Sequence, residues 1–82
     1  MNKLIWDELI IDHIKKHNVE IEEVEEAYLN KKIESKSYLN RRKILGITKQ
    51  GRMLTIIILQ NLSVVTTRDM SRKERIKYYE KT

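Results

Sequence analysis

The chain has 82 residues, a net charge of +5 and no cysteine. That length gives one domain, residues 1–82, with a modest core, and the missing thiols exclude a disulfide framework, a cysteine metal site and a cysteine nucleophile, as suits a cytoplasmic protein. The charge is unevenly spread, with three Lys against eight acids in residues 1–30 and fourteen Lys or Arg against four acids in residues 31–82, so the second part calls for a polyanion or an acidic protein as its partner.

Lys3 to Asp7 ("KLIWD") reads as an edge strand and not as a signal peptide. Asp7 can cap a helix in which Leu9, Ile10 and Ile14 form an apolar stripe. Lys15, Lys16 and His17 fall in its last turn, where cations suit the negative end of the helix dipole. Asn18 ends it, because Asn tolerates the left-handed conformation. A second helix follows, with Ile21, Val24, Ala27 and Tyr28 at helical spacing and Glu20, Glu22 and Glu23 at its positive end. The five glutamates of "VEIEEVEEAYLN" read as a solvated face.

Lys31 to Asn40 has weak periodicity and reads as a loop or frayed strand. The period then becomes that of strands. "RRKILGIT" and "RMLTIIIL" flank Lys49-Gln50-Gly51, a hairpin connection with glycine available for positive φ. "LSVVTTR" follows Gln60-Asn61, giving a three-stranded antiparallel meander. Consecutive Ile56, Ile57 and Ile58 predict a middle strand covered on both faces; that run, ended by Leu59, is the longest apolar one and too short to span a membrane. Ser71 and Glu74 form a capping box, opening a last helix with Ile76 and Tyr79 inward. The expected fold class is α+β, in the order β-α-α-β-β-β-α. With no Pro and two Gly, no flexible linker and no phosphate-binding glycine loop is available.

Four stretches carry a family resemblance: "IWDE", "KHNVEIEEV", "RRKILGITKQGRMLTIIIL" and "VVTTRDMSRKERIKYYE". In this order they resemble the BrnT toxins of bacterial type II toxin–antitoxin systems, within the RelE-like ribonucleases. Asn18 stands where the family has Gly, a mild departure. The resemblance implies a curved antiparallel sheet with two helices before it and one after. It also implies inhibition of translation by RNA cleavage, and neutralisation by BrnA, a ribbon–helix–helix DNA-binding antitoxin.

Cleaving RNA without a metal requires a base for the 2′-hydroxyl, an acid for the leaving oxygen, and cations for the charge growing on the phosphate. Arginine suits the last task, because its fork can bind two phosphate oxygens. Arg68, at the end of the last strand, is the first candidate; its alternative role is a salt bridge to Asp69 or Glu74. Arg41 and Arg52 match the family's hairpin arginines and can also be read as solvated strand-end charges. Lys16 and His17 match its Lys-His pair, and His17 is the ready proton shuttle among them. Glu74 reads first as the capping-box residue. Arg72, Arg75 and Lys77 read as RNA-steering charges, and Tyr78 as a ring that stacks a base or packs on the sheet. His13 and His17 have a zinc-binding spacing, but Ile14 follows His13 and no third ligand is evident, so neither metal nor cofactor is expected. The rival reading is a non-catalytic RNA-binding or antitoxin-binding module on the same fold.

Overall fold

The computed structural model describes residues 3–81; residues 1, 2 and 82 of the expected domain lie outside them. The elements are α1 (Glu8–Lys15), α2 (Ile21–Leu29), β1 (Ile33–Lys36), a 3-10 turn (Tyr38–Asn40), β2 (Arg42–Ile47), β3 (Met53–Ile58), β4 (Val64–Asp69) and α3 (Arg72–Glu80). Among the described residues the fold is α+β, with one antiparallel sheet in the order β1-β2-β3-β4 and three helices.

The local chemistry of the helix ends acts as expected. The Leu9 N–H donates to Asp7 Oδ1 at 2.7 Å, and Asn18 is left-handed at φ 59°. Ser71 and Glu74 form a reciprocal capping box. α2 carries a second one, in which the Glu20 N–H donates to Glu23 Oε1 at 3.0 Å.

Four expectations need correction, and the order is α-α-β-β-β-β-α in place of the expected β-α-α-β-β-β-α. Lys3 to Asp7 supplies only a parallel bridge, Ile5 to Ser63, in place of a strand. Lys31 to Asn40, read as a loop or frayed strand, contains β1, so the expected three-stranded meander is a four-stranded sheet. In α3 the inward residues are Glu74 and Tyr78, whereas Ile76 and Tyr79 are exposed; Leu9 of α1 is exposed as well.

Register assigns each residue to a sheet face, because directly paired residues point the same way. Ile44, Ile56 and Thr67 share one face with Leu54 and Ile58. That face packs on Ile14 of α1 and on Val24, Ala27 and Tyr28 of α2, and forms the main core. A Cβ on Gly46 would collide with the Ala27 carbonyl, so glycine lets α2 lie directly on β2. On the opposite face, Ile33, Leu45, Thr55 and Arg68 make one row and Ser35, Lys43, Ile57 and Thr66 the next. α3 covers the first row through Tyr78, packing with Leu45 and Met70. The second row stays open, with Lys43, Ile57 and Thr66 half-buried and Ser35 exposed. β3 is therefore closed on the Ile56 and Ile58 side and half-closed on the Ile57 side.

Candidate functional site

The open face is organised around one carboxylate. Glu74 lies in the first turn of α3 and is buried, facing Thr55 on β3 and Lys43 on β2. Thr55 Oγ1 donates to Glu74 Oε1 at 2.8 Å, and so does the Ser71 N–H, also at 2.8 Å. Lys43 Nζ lies 2.6 Å from Oε2. Arg68 adds two parallel bonds, Nη1 to Oε1 at 2.7 Å and Nη2 to Oε2 at 3.0 Å. Burial would raise the Glu74 pKa, but Arg68, Lys43, the Ser71 N–H and the Thr55 hydroxyl outweigh it and hold the carboxyl well below the usual range. Glu74 is thus an anion at neutral pH with its acceptor positions engaged, which makes it a poor general base and a firm mount for cations.

Arg68 is held without being used up. Its Nη1 serves Glu74 and the Asp69 carbonyl, and one Nη2 hydrogen serves Glu74. A guanidinium has five N–H donors, so Nε and the second Nη2 hydrogen have no protein acceptor among the described residues. The side chain is 43% exposed, and these donors are available to an incoming anion.

Next to this cage runs a groove of about 520 Å³ lined by Ser35, Lys36, Ser37, Tyr38, Lys43 and Lys77. Lys43 belongs to both. Among the described residues, neither Lys36 nor Lys77 is paired with a carboxylate. Lys32 adds a cation over the Tyr78 ring, 5.0 Å from its centroid.

Arg52, matched to the same hairpin in the sequence, sits elsewhere. It forks onto Asp69, Nε to Oδ1 at 2.9 Å and Nη2 to Oδ2 at 3.3 Å. Nη1 reaches the Asn18 carbonyl at 2.6 Å and Glu23 Oε1 at 3.1 Å, and Nη2 reaches the His17 carbonyl at 3.3 Å. Asp69 pairs in register with Leu54, on the main-core face. Arg52 therefore ties the α1–α2 loop and α2 to the ends of β3 and β4. The bond from Arg52 lowers the Asp69 pKa, and the charges of Arg75 and His17 add to it.

The cations singled out in the sequence thus divide between two places. Arg68 and Lys77 are on the open face. Arg52 and His17 are at the knot on the other, where Lys16 is an exposed neighbour in sequence. The His13 and His17 rings meet edge-on at 5.2 Å. Arg41 is half-buried, and its Nε is enclosed without a hydrogen-bond partner among the described residues. Arg72 and Arg75 are exposed on α3. Tyr78 is 4% exposed and packs as part of the small core, so its ring is not offered to a base. Burial, with Tyr79 beside it, raises the pKa of its hydroxyl, which stays protonated at neutral pH.

Sequence reasoning missed Lys36, Tyr38 and Lys43. Lys43 was legible in principle, because two-residue alternation puts it on the same face as Leu45 and Ile47. Lys36 and Tyr38 fall in the segment whose weak periodicity hid β1.

No family model, curated protein or solved structure matches this chain. No helix among the described residues is long and apolar enough to cross a membrane.

Proposed function

We propose that this protein is a cytoplasmic ribonuclease toxin of the BrnT, RelE-like kind, inhibiting translation by metal-independent RNA cleavage and neutralised by a BrnA-like ribbon–helix–helix antitoxin. The observation that carries this reading is the cage in which Arg68 and Lys43 hold the buried Glu74, with the groove that Lys43 and Lys77 line beside it. The coarse architecture supports it, with two helices before an antiparallel sheet and one after, although the opening strand expected at Lys3 to Asp7 is only a bridge. On this reading Glu74 is a positioning residue. It aims Arg68 so that the free edge of the guanidinium meets the scissile phosphate and stabilises its growing charge.

One observation favours the rival reading, a non-catalytic RNA-binding or antitoxin-binding module. His17, the proton shuttle expected from the sequence, stands with Arg52 and not with Arg68, and the Glu74 carboxylate is fully engaged. The deciding experiment is to incubate purified protein with RNA and map new 5′-hydroxyl ends, alongside induction in cells lacking any antitoxin. Arg68→Ala should abolish both effects while its circular dichroism stays native, and cleavage should persist in a strong chelator. If the wild type leaves growth and RNA intact, the toxin reading fails.

A further inference from the structure

Tyr38 is 87% exposed and Leu39 80% exposed, at the tip of the β1–β2 connection. This tip is not a slack loop. The Ser37 N–H donates to the Arg41 carbonyl at 2.7 Å, and the Arg41 N–H to the Tyr38 carbonyl at 3.1 Å. Gln60, from the β3–β4 turn, donates its Nε2 to the Asn40 carbonyl at 2.9 Å. Leu39 and Asn40 are both left-handed, at φ 58° and 61°. A leucine in that region is strained, and such strain persists where surrounding bonds enforce it. These bonds hold the backbone of the tip, and Tyr38 there presents its ring to solvent without joining either core.

Tyr38 also lines the lysine groove. The other lining groups are three ammonium groups, from Lys36, Lys43 and Lys77, and the hydroxyl residues Ser35 and Ser37. Ammonium and hydroxyl groups donate hydrogen bonds to phosphate oxygens, and an exposed aromatic ring is a surface on which a base stacks. The volume of about 520 Å³ falls among those of small-ligand sites. A duplex keeps its base faces stacked inside, so only an unpaired nucleotide can use the ring and the cations together.

Resting on the RNA reading above, we propose that this groove is a single-stranded RNA subsite, in which the lysines hold a phosphate and Tyr38 stacks one unpaired base. Lys43 is shared between the groove and the Glu74 cage, so a strand held by the ring can run past Lys43 across the sheet toward Arg68. The substrate class is then flexible, unpaired RNA.

The test is fluorescence anisotropy with a short 2′-O-methyl RNA oligonucleotide, which binds but cannot be cut through its 2′-oxygen. Tyr38→Ala should weaken binding by about tenfold or more. Tyr38→Phe should keep the affinity, since it keeps the ring face. Replacing Lys36 and Lys77 together with Gln should weaken binding and flatten its salt dependence. A duplex of the same sequence should compete poorly. Tyr38 is exposed, so circular dichroism should be unchanged in both of its variants. Wild-type affinity in Tyr38→Ala, equal loss in Tyr38→Phe, or equal competition by the duplex would each overturn the proposal. Cleavage by the wild type that is unchanged in Tyr38→Ala would remove the subsite and leave the toxin reading standing. Single-strand binding that depends on Tyr38, with neither cleavage nor growth inhibition, would do the reverse.

Discussion

Arg68, near the end of β4, and Glu74, in the first turn of α3, meet as fork and carboxylate, with N–O distances of 2.7 and 3.0 Å. The pair joins a strand to the helix that follows it, but its two members are not equivalent. Glu74 is buried and also serves Lys43, Thr55 and the Ser71 N–H, whereas Arg68 is 43% exposed.

Removing Glu74 should therefore cost more stability than removing Arg68. Glu74→Ala strands several donors at once and should cost about 3 kcal/mol. Arg68→Ala leaves the carboxylate three partners and should cost about 1 kcal/mol, discounted for solvent screening. Urea denaturation midpoints measure both. An Arg68→Ala loss as large as that of Glu74→Ala would contradict this division.

The same carboxylate sets the response to acid. Its folded pKa is depressed, so its contribution is fully present above the unfolded value of about 4.3 and is lost as pH falls below that value. Asp69 acts in the same direction but is half-exposed, so its share is smaller. Thermal midpoints recorded as pH is lowered through this window should fall steeply in the wild type and less so in Glu74→Gln. Parallel curves for the two proteins would show that another group controls acid unfolding.

Arg52 should prove structural. Lysine keeps its charge but cannot reproduce the fork on Asp69 together with the bonds to the His17 and Asn18 carbonyls. Arg52→Lys should lower stability by about 2 kcal/mol. Because the lost bonds anchor the α1–α2 loop, amide exchange at Val19 and Val24 should quicken. Unchanged exchange at both positions would mean that the loop stands without the arginine.

Gly46→Ala should lower stability by about 2 kcal/mol, since its methyl group would enter the space of the Ala27 carbonyl and lift α2 from β2. Adding Ala27→Gly should not restore it, because the obstructing atoms belong to the backbone. Full stability in the single variant, measured calorimetrically, would show that α2 can shift at no cost.

The helix ends were legible because caps are local chemistry. Asp7, Asn18, Ser71 and Glu74 sit where their side chains answer nearby backbone groups. β1 was hidden because it is an edge strand with one paired neighbour and largely exposed residues, which leaves no apolar alternation to read. The inward side of α3 was misread for a related reason. It buries a carboxylate caught by cations from two strands, and a search for apolar spacing passes over a glutamate. Of the site, Arg68 and Lys77 could be picked out by their positions at a strand end and in a basic helix. The separation of Arg52 and His17 from them depends on which side each strand residue faces, and that follows only from register.

Because the strands lie side by side in the order in which they are made, each ladder joins neighbours along the chain. Closing such short loops costs little entropy, which favours rapid assembly of the meander. The bridge from Ile5 to Ser63 is different: it must bring the first segment across to the far edge of a sheet that already exists. Its two bonds, from the Ile5 N–H to Leu62 and from the Val64 N–H to Ile5, should form last during refolding and open first in the native protein. Pulse-labelling should find these two amides protected later than those of β2 and β3, leaving β4 for a time with an open edge where another chain could add a strand.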